Sequence, residues 1–107
     1  MSTLELSVNK TVDSGITTFF AVGSLTIETS EILGEPLIAY CENPEGPVVV
    51  DLCDVTYVSS AGLRVFMMAA KRLRERNARL LLRRVPPSIV GILKMTNFTR
   101  FLDVEPL

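Results

Sequence analysis

The sequence predicts a single α/β domain over residues 1–107, a mixed β-sheet with helices packed on it in the order β-β-α-β-α-β-α-β. Three observations carry this. Two segments near the N-terminus have strand character and flank a turn, the pattern of a hairpin. Two aliphatic runs, Val48–Leu52 and Arg79–Arg83, are separated by a stretch of helical length and period. A proline pair then opens a third helical stretch, and a short apolar segment closes the chain.

Taken in order, Leu4, Leu6 and Val8 alternate with Thr3, Glu5, Ser7 and Asn9, which marks residues 3–9 as a half-buried strand. Asp13-Ser14-Gly15 is a turn, and Ile16 to Val22 is a second strand that pairs with the first. Gly23 ends it. Thr29 or Ser30 caps a first helix carrying Ile32, Leu33, Leu37, Ile38 and Cys41, with Gly34 and Pro36 disturbing it. Asn43 to Pro47 form a turn. Val48 to Leu52 then form a strand whose unbroken apolar character suits cover on both faces. Helix two runs from Ser60 to about Arg76 and is broken by Asn77-Ala78. Arg79 to Arg83 are a further buried strand. Pro86-Pro87-Ser88 open helix three, with Ile89, Val90, Ile92, Leu93 and Met95 as its stripe. Phe101 to Val104 form the last strand.

Composition excludes several classes of function. At 107 residues and 48% apolar, the chain has enough material for a core without disulfide or metal staples. Cys41 and Cys53 lack metal-ligand spacing and read as reduced thiols. There is no histidine, which removes Ser–His and Cys–His pairs, histidine bases and most zinc sites. Val58-Ser59-Ser60-Ala61-Gly62 lacks the first glycine of a nucleophile elbow, and neither phosphate-loop nor dinucleotide fingerprint occurs. The expectation is therefore no catalysis, no cofactor and no metal. A hydrolase on Ser60 would need a lysine or a carboxylate such as Asp51 or Asp54 as its base. No signal peptide or membrane-length apolar run is present, so a cytoplasmic location is expected.

Charge is uneven along the chain. Residues 1–54 hold nine carboxylates against Lys10, a net −8, and residues 55–107 hold ten bases against three carboxylates, a net +7. This is either a polarised surface that steers a charged partner or solvated faces that segregate along the sequence. The basic run Lys71 to Arg76 with Arg83-Arg84 lacks an aromatic platform and sits in a chain of pI about 5.4, so no nucleic-acid role is expected.

The richest stretch is Val50 to Val65, an apolar strand running into two serines that open helix two. A serine there is a favoured N-cap, and it is also a position where a phosphate dianion is tolerated by free backbone N–H groups. Both readings stand for Ser59 and Ser60. On helix two, Leu63, Phe66, Met67, Ala70 and Leu73 have the spacing of a buried stripe. Val65, Met68 and Ala69 form a second apolar strip, flanked by Arg64 and Arg72. Either Val65 and Met68 belong to a docking surface or another helix covers them.

These residues resemble the signature of STAS domains, specifically the free-standing bacterial anti-sigma factor antagonists. Asp51-Leu52, Val55, Tyr57, Val58, Ser59, Ser60, Ala61, Gly62 and Leu63 fit it in register. Gly23-x-Leu25 with Thr29 resembles the lead-in to the family's first helix. Val85-Pro86-Pro87-Ser88 through Met95-Thr96-Asn97-Phe98 resembles its third helix and following turn. The resemblance implies a STAS fold and a binding partner, an ATP-dependent serine-kinase anti-sigma factor. It places the phosphorylated serine at Ser60, with Ser59 as a competing acceptor, and a serine phosphatase to reverse the modification. The implied partner surface comprises Thr26, Ser59, Ser60, Ala61, Gly62, Arg64, Val65 and Met68, with Asp51 and Asp54 supporting the acceptor. Ser59 and Thr26 stand where many members carry aspartate. The free domain is expected to be a monomer with neither nucleic acid nor membrane as partner. The alternative is a STAS subunit of a transport or sensory assembly, for instance one docked on a lipid-transfer ATPase, without phosphate turnover.

Overall fold

The computed structural model describes residues 5–107, so Thr3 and Leu4 of the expected first strand lie outside the described residues. The elements are β1 (Leu6–Asp13), β2 (Ile16–Leu25), α1 (Ser30–Glu42), β3 (Val48–Val58), α2 (Ser60–Arg74), β4 (Leu80–Val85), α3 (Pro87–Met95), a single 3₁₀ turn (Phe98–Arg100) and β5 (Asp103–Pro106). The five strands form one sheet in the order β1-β2-β3-β4-β5, with β1 and β2 antiparallel and every later pair parallel. The order and the mixed sheet agree with expectation.

Three successive parallel crossovers step the same way across this sheet. Right-handed connections then place α1, α2 and α3 on one face. Phe19, Ala21, Val50, Leu52, Leu80 and Leu82 point into that face and meet Leu33, Leu37, Phe66, Ala70, Leu73, Ile89 and Leu93 in the core. The other face carries Thr18, Phe20, Val49, Asp51, Leu81 and Arg83 in adjacent register. Residues of β3 on both faces are buried as expected, Val49 at 5% and Asp51 at 2% exposure on the helix-free side, where Arg83 and Arg84 bind Asp51.

The strand ends also differ from the sequence reading. Gly23 does not end β2; the strand continues to Leu25 through two irregularities. At Gly23 φ is +119°, and a Cβ there would collide with the carbonyl oxygen of Glu5. The glycine is the point where the hairpin partner crosses. Gly23→Ala is expected to lower the unfolding free energy by about 2–3 kcal/mol in urea titration. β3 runs six residues past Leu52, to Val58. β5 begins at Asp103 and not at Phe101, because the 3₁₀ turn occupies Phe98–Arg100.

Pro36 sits inside α1 without ending it. α2 ends at Arg74, where Asn77 adopts the left-handed conformation (φ 59°) and the Ala78 N–H bonds the Leu73 carbonyl at 2.9 Å. Of the expected α3 stripe only Ile89 and Leu93 are buried. Cys41 and Cys53 are unpaired, and burial pushes the Cys41 thiol up to about 12, which leaves it inert.

The charge asymmetry is partly folded away. α1 lies against α2, and Arg72 pairs with Glu42 at 3.7 Å. Arg76 bonds the Glu42 carbonyl and the Asn43 side chain. The basic run thus fastens one helix end to the other. Among the described residues no helix is long and apolar enough to cross a membrane.

Candidate functional site

The carboxyl ends of β2 and β3 converge on the first turn of α2. Ser59 leaves β3 in extended conformation (φ −84°, ψ 174°), and its N–H donates to the Leu25 carbonyl at 2.7 Å. Its hydroxyl oxygen accepts from the Gly62 N–H at 3.2 Å, while its carbonyl accepts from Leu63 N–H at 2.9 Å. Ser59 is therefore the N-cap. Ser59→Ala is expected to lower stability by about 1 kcal/mol, read as a shift of the denaturation midpoint at constant slope.

Ser60 is the first helical residue, and it is exposed. Among the described residues no hydrogen bond engages its hydroxyl. The two serines that the sequence leaves equivalent are thus divided: one holds the helix start, the other faces solvent. Gly62 turns inward and is buried, where a Cβ would press on Leu25 and Val58 at 3.0 Å. Its smallness seats α2 on the ends of β2 and β3; it is not part of the open surface.

Thr26 is also buried, at 7% exposure. Its hydroxyl accepts from the Thr29 N–H at 3.2 Å, and its own N–H donates to the Thr29 hydroxyl at 2.8 Å. Thr29 in turn donates to the Ser24 carbonyl at 2.5 Å, and Ser30 bonds the Thr26 carbonyl. This reciprocal pair closes the turn into α1. Thr29 is the N-cap residue by position, yet its hydroxyl serves the preceding turn and not the helix. Thr26 therefore sets the height of α1 without presenting a side chain to a partner.

Between the first turns of α1 and α2 lies an open groove of about 310 Å³ lined by Ile27, Ser30, Glu31, Ala61, Arg64, Val65 and Met68. Val65 borders it from below at 3% exposure, against Gly34 of α1. The second apolar strip of α2 is thus covered by a helix at Val65 and Ala69, which corrects Val65 as a freely displayed contact. Met68 stays half-buried and Arg64 exposed. Leu63 and Met67, expected within the buried stripe, are also half-buried. Ile27 and Glu31 were not among the expected site residues, although Glu31 was expected on the first helix. Ile27, 76% exposed, is an isoleucine in an otherwise polar turn, and that was the available signal.

Asp51 does not support the acceptor. Its partner Phe20 lies five strand residues before Leu25, the partner of Val58, so the carboxylate's strand position is about 17 Å from Val58 at 3.3 Å per residue. Asp51 is 2% exposed on the helix-free face, where one carboxylate oxygen accepts from Arg83 at 3.3 Å and Arg84 at 2.8 Å. The other oxygen accepts from the Cys53 N–H at 3.1 Å. Consecutive strand residues normally point to opposite faces. Arg84 reaches the same carboxylate as Arg83 because its backbone is left-handed (φ 51°) at the irregular end of β4. Burial alone pushes the Asp51 carboxyl up, but Arg84, the Cys53 N–H and Arg83 together outweigh it and hold it below the ordinary range. Asp54 is exposed, and its partner Val22 lies three strand residues before Leu25, the partner of Val58, about 10 Å along the sheet. Neither aspartate is placed to act as a base on Ser60.

Residues 17–104 match the family described as MlaB, STAS domain. BtrV of Bordetella bronchiseptica, named as an anti-sigma factor antagonist, is 33% identical over 82 residues, covering 77% of this chain and 71% of that protein. The crystal structure of an anti-sigma factor antagonist from Mycobacterium paratuberculosis superposes with a TM-score of 0.84 at 17% identity, covering 99% and 90% of the two chains. The anti-sigma factor antagonist SpoIIAA has the same fold in its unphosphorylated form (TM-score 0.74, 10% identity, covering 96% and 89%). It keeps that fold in the phosphorylated form from Bacillus (TM-score 0.72, 10% identity, covering 94% and 90%). With its strand-to-helix junction, its sheet order and this match over most of its length, the chain belongs to the STAS domain family.

Proposed function

We propose that this STAS domain is an anti-sigma factor antagonist that works by binding and not by catalysis. It captures a serine-kinase anti-sigma factor through the first turn of α2 and the adjoining groove, and so frees a sigma factor or equivalent target. The observation that carries this is the division of labour between Ser59 and Ser60. The cap is supplied by Ser59, so the exposed Ser60 hydroxyl is spare. In the kinase complex the bond between the γ-phosphorus of ATP and ADP breaks and the Ser60 Oγ–P bond forms. The hydroxyl proton passes to a base on the kinase, since the chain's own aspartates are out of reach. The names borne by relatives, and the fold shared with a protein solved both with and without phosphate, support the same reading.

Incubation with the cognate kinase and ATP is expected to add one phosphate, lost in Ser60→Ala and kept in Ser59→Ala. Phosphate retained in Ser60→Ala refutes the assignment. A second reading, a subunit of a transport or sensory assembly, draws support from the label of the matched family. It predicts partner capture that Ser60→Ala leaves intact and no phosphate on Ser60 in cells.

A further inference from the structure

On α2 the solvent-facing positions include Ser60 and Arg64. Residues four apart on a helix stand one turn apart on the same face, with Cβ atoms about 5–6 Å from each other. Helical side chains tend to lean toward the N-terminus, which puts a group on Ser60 within reach of the Arg64 side chain. The first turn of α2 holds no acidic residue, and among the described residues no carboxylate lies within ion-pair distance of Arg64. Across the groove stands Glu31, whose carboxylate folds back along its own helix toward Gly34. Arg64 is the only cation among the groove's lining residues.

We propose that Arg64 is the intramolecular partner of a phosphate on Ser60, closing on it in a two-pronged, charge-assisted hydrogen bond. The inference rests on the reading of Ser60 as the acceptor. Its consequence is a switch with two simultaneous actions. Modification adds a dianion at the helix start, and it draws the guanidinium out of the groove between α1 and α2. Ile27, Met68 and Glu31 are left as the groove's lining, with no cation among them. A partner that meets Arg64 with a carboxylate loses its pair and gains a repulsion.

Phosphoserine encoded genetically at position 60 of the full chain puts the phosphate in place without any kinase. Phosphorus NMR then follows its second ionisation, which lies near about pH 6 for an unconstrained phosphoserine. The charged groups lining the adjoining groove are Arg64 on α2 and Glu31 on α1; Glu28 and Tyr57 are the nearest titratable groups in sequence on the turn before α1 and at the end of β3. Arg64→Ala is expected to raise that ionisation by roughly 0.3–0.5 of a pH unit relative to the unsubstituted chain, with Arg64→Lys between the two. The Arg64 Nε–H resonance is expected to move on modification. Because Arg64 is exposed, the unmodified Arg64→Ala protein should melt with the wild type, which separates loss of the contact from loss of the fold. Identical ionisation in all three proteins, with an unmoved Nε–H signal, overturns the proposal. Failure of kinases to modify Ser60 while the encoded phosphoserine shows the shift overturns the acceptor reading and leaves the Arg64 contact standing.

Discussion

Asp51→Ala lowers the unfolding free energy by about 2–3 kcal/mol, a drop of roughly 10 °C in Tm for a domain of this size. The substitution removes the acceptor for the Cys53 N–H and for both arginines at once. The loss stays below the full cost of orphaning a buried ion pair because Arg83 and Arg84 keep 33% and 50% side-chain exposure and turn to water. Asp51→Asn keeps an oxygen for Cys53 and loses the charge, so it falls between. The pH dependence follows from the lowered carboxyl. A carboxylate whose folded pKa lies below its unfolded value of about 3.9 contributes stability that is full above that value and is lost as pH falls through the folded pKa. Urea unfolding between pH 5 and 2, both bounds being approximate, should therefore show a steeper acid loss in the wild type than in Asp51→Asn. Parallel acid slopes would show that the carboxylate gains nothing from folding.

If Ser60 is the acceptor, its phosphorylation is expected to weaken capture of the proposed kinase partner about 100-fold or more, since desolvating a dianion inside an interface costs a few kcal/mol and 1.4 kcal/mol is tenfold. The measurement is titration calorimetry of the phosphorylated and unmodified chain against the nucleotide-bound partner. Ser60→Ala should bind within a few-fold of the unmodified protein, because its hydroxyl makes no internal hydrogen bond among the described residues. Ser60→Asp, with one charge in place of nearly two, should fall between. Equal affinity for modified and unmodified chain would rule out the phosphate as the off signal.

The hairpin, the helix order and the two serines were legible because they rest on local periodicity and capping chemistry. The missed features rest on pairings distant in sequence. Asp51 reads locally as a strand-end turn former, and nothing near it announces Arg83 and Arg84, 32 and 33 residues later. β3 looked short because Cys53 to Val58 lose strict alternation; Thr56 and Tyr57 are both exposed, opposite the irregular end of β2. Gly23 reads as a stop when taken alone and as a crossing point only once Glu5 is beside it. Val65 has the spacing of an open strip, and only the docking of α1 through Gly34 covers it. Of the candidate site, Ser60 and Arg64 were expected from sequence, whereas Ile27 and Glu31 needed the neighbouring helix.

The sheet order repeats the chain order, β1 to β5 without exchange. Every strand therefore pairs with the strand synthesised just before it, and no strand must wait for a later one to fill a gap between neighbours. Loop closure is limited to one helix per step, which keeps contact order low for a largely parallel sheet. The serine junction is built from the ends of β2 and β3 and the start of α2, and among the described residues no hydrogen bond in it comes from β4 or β5. The candidate site thus draws on elements up to α2 alone, whereas the Asp51 clamp needs β4 as well.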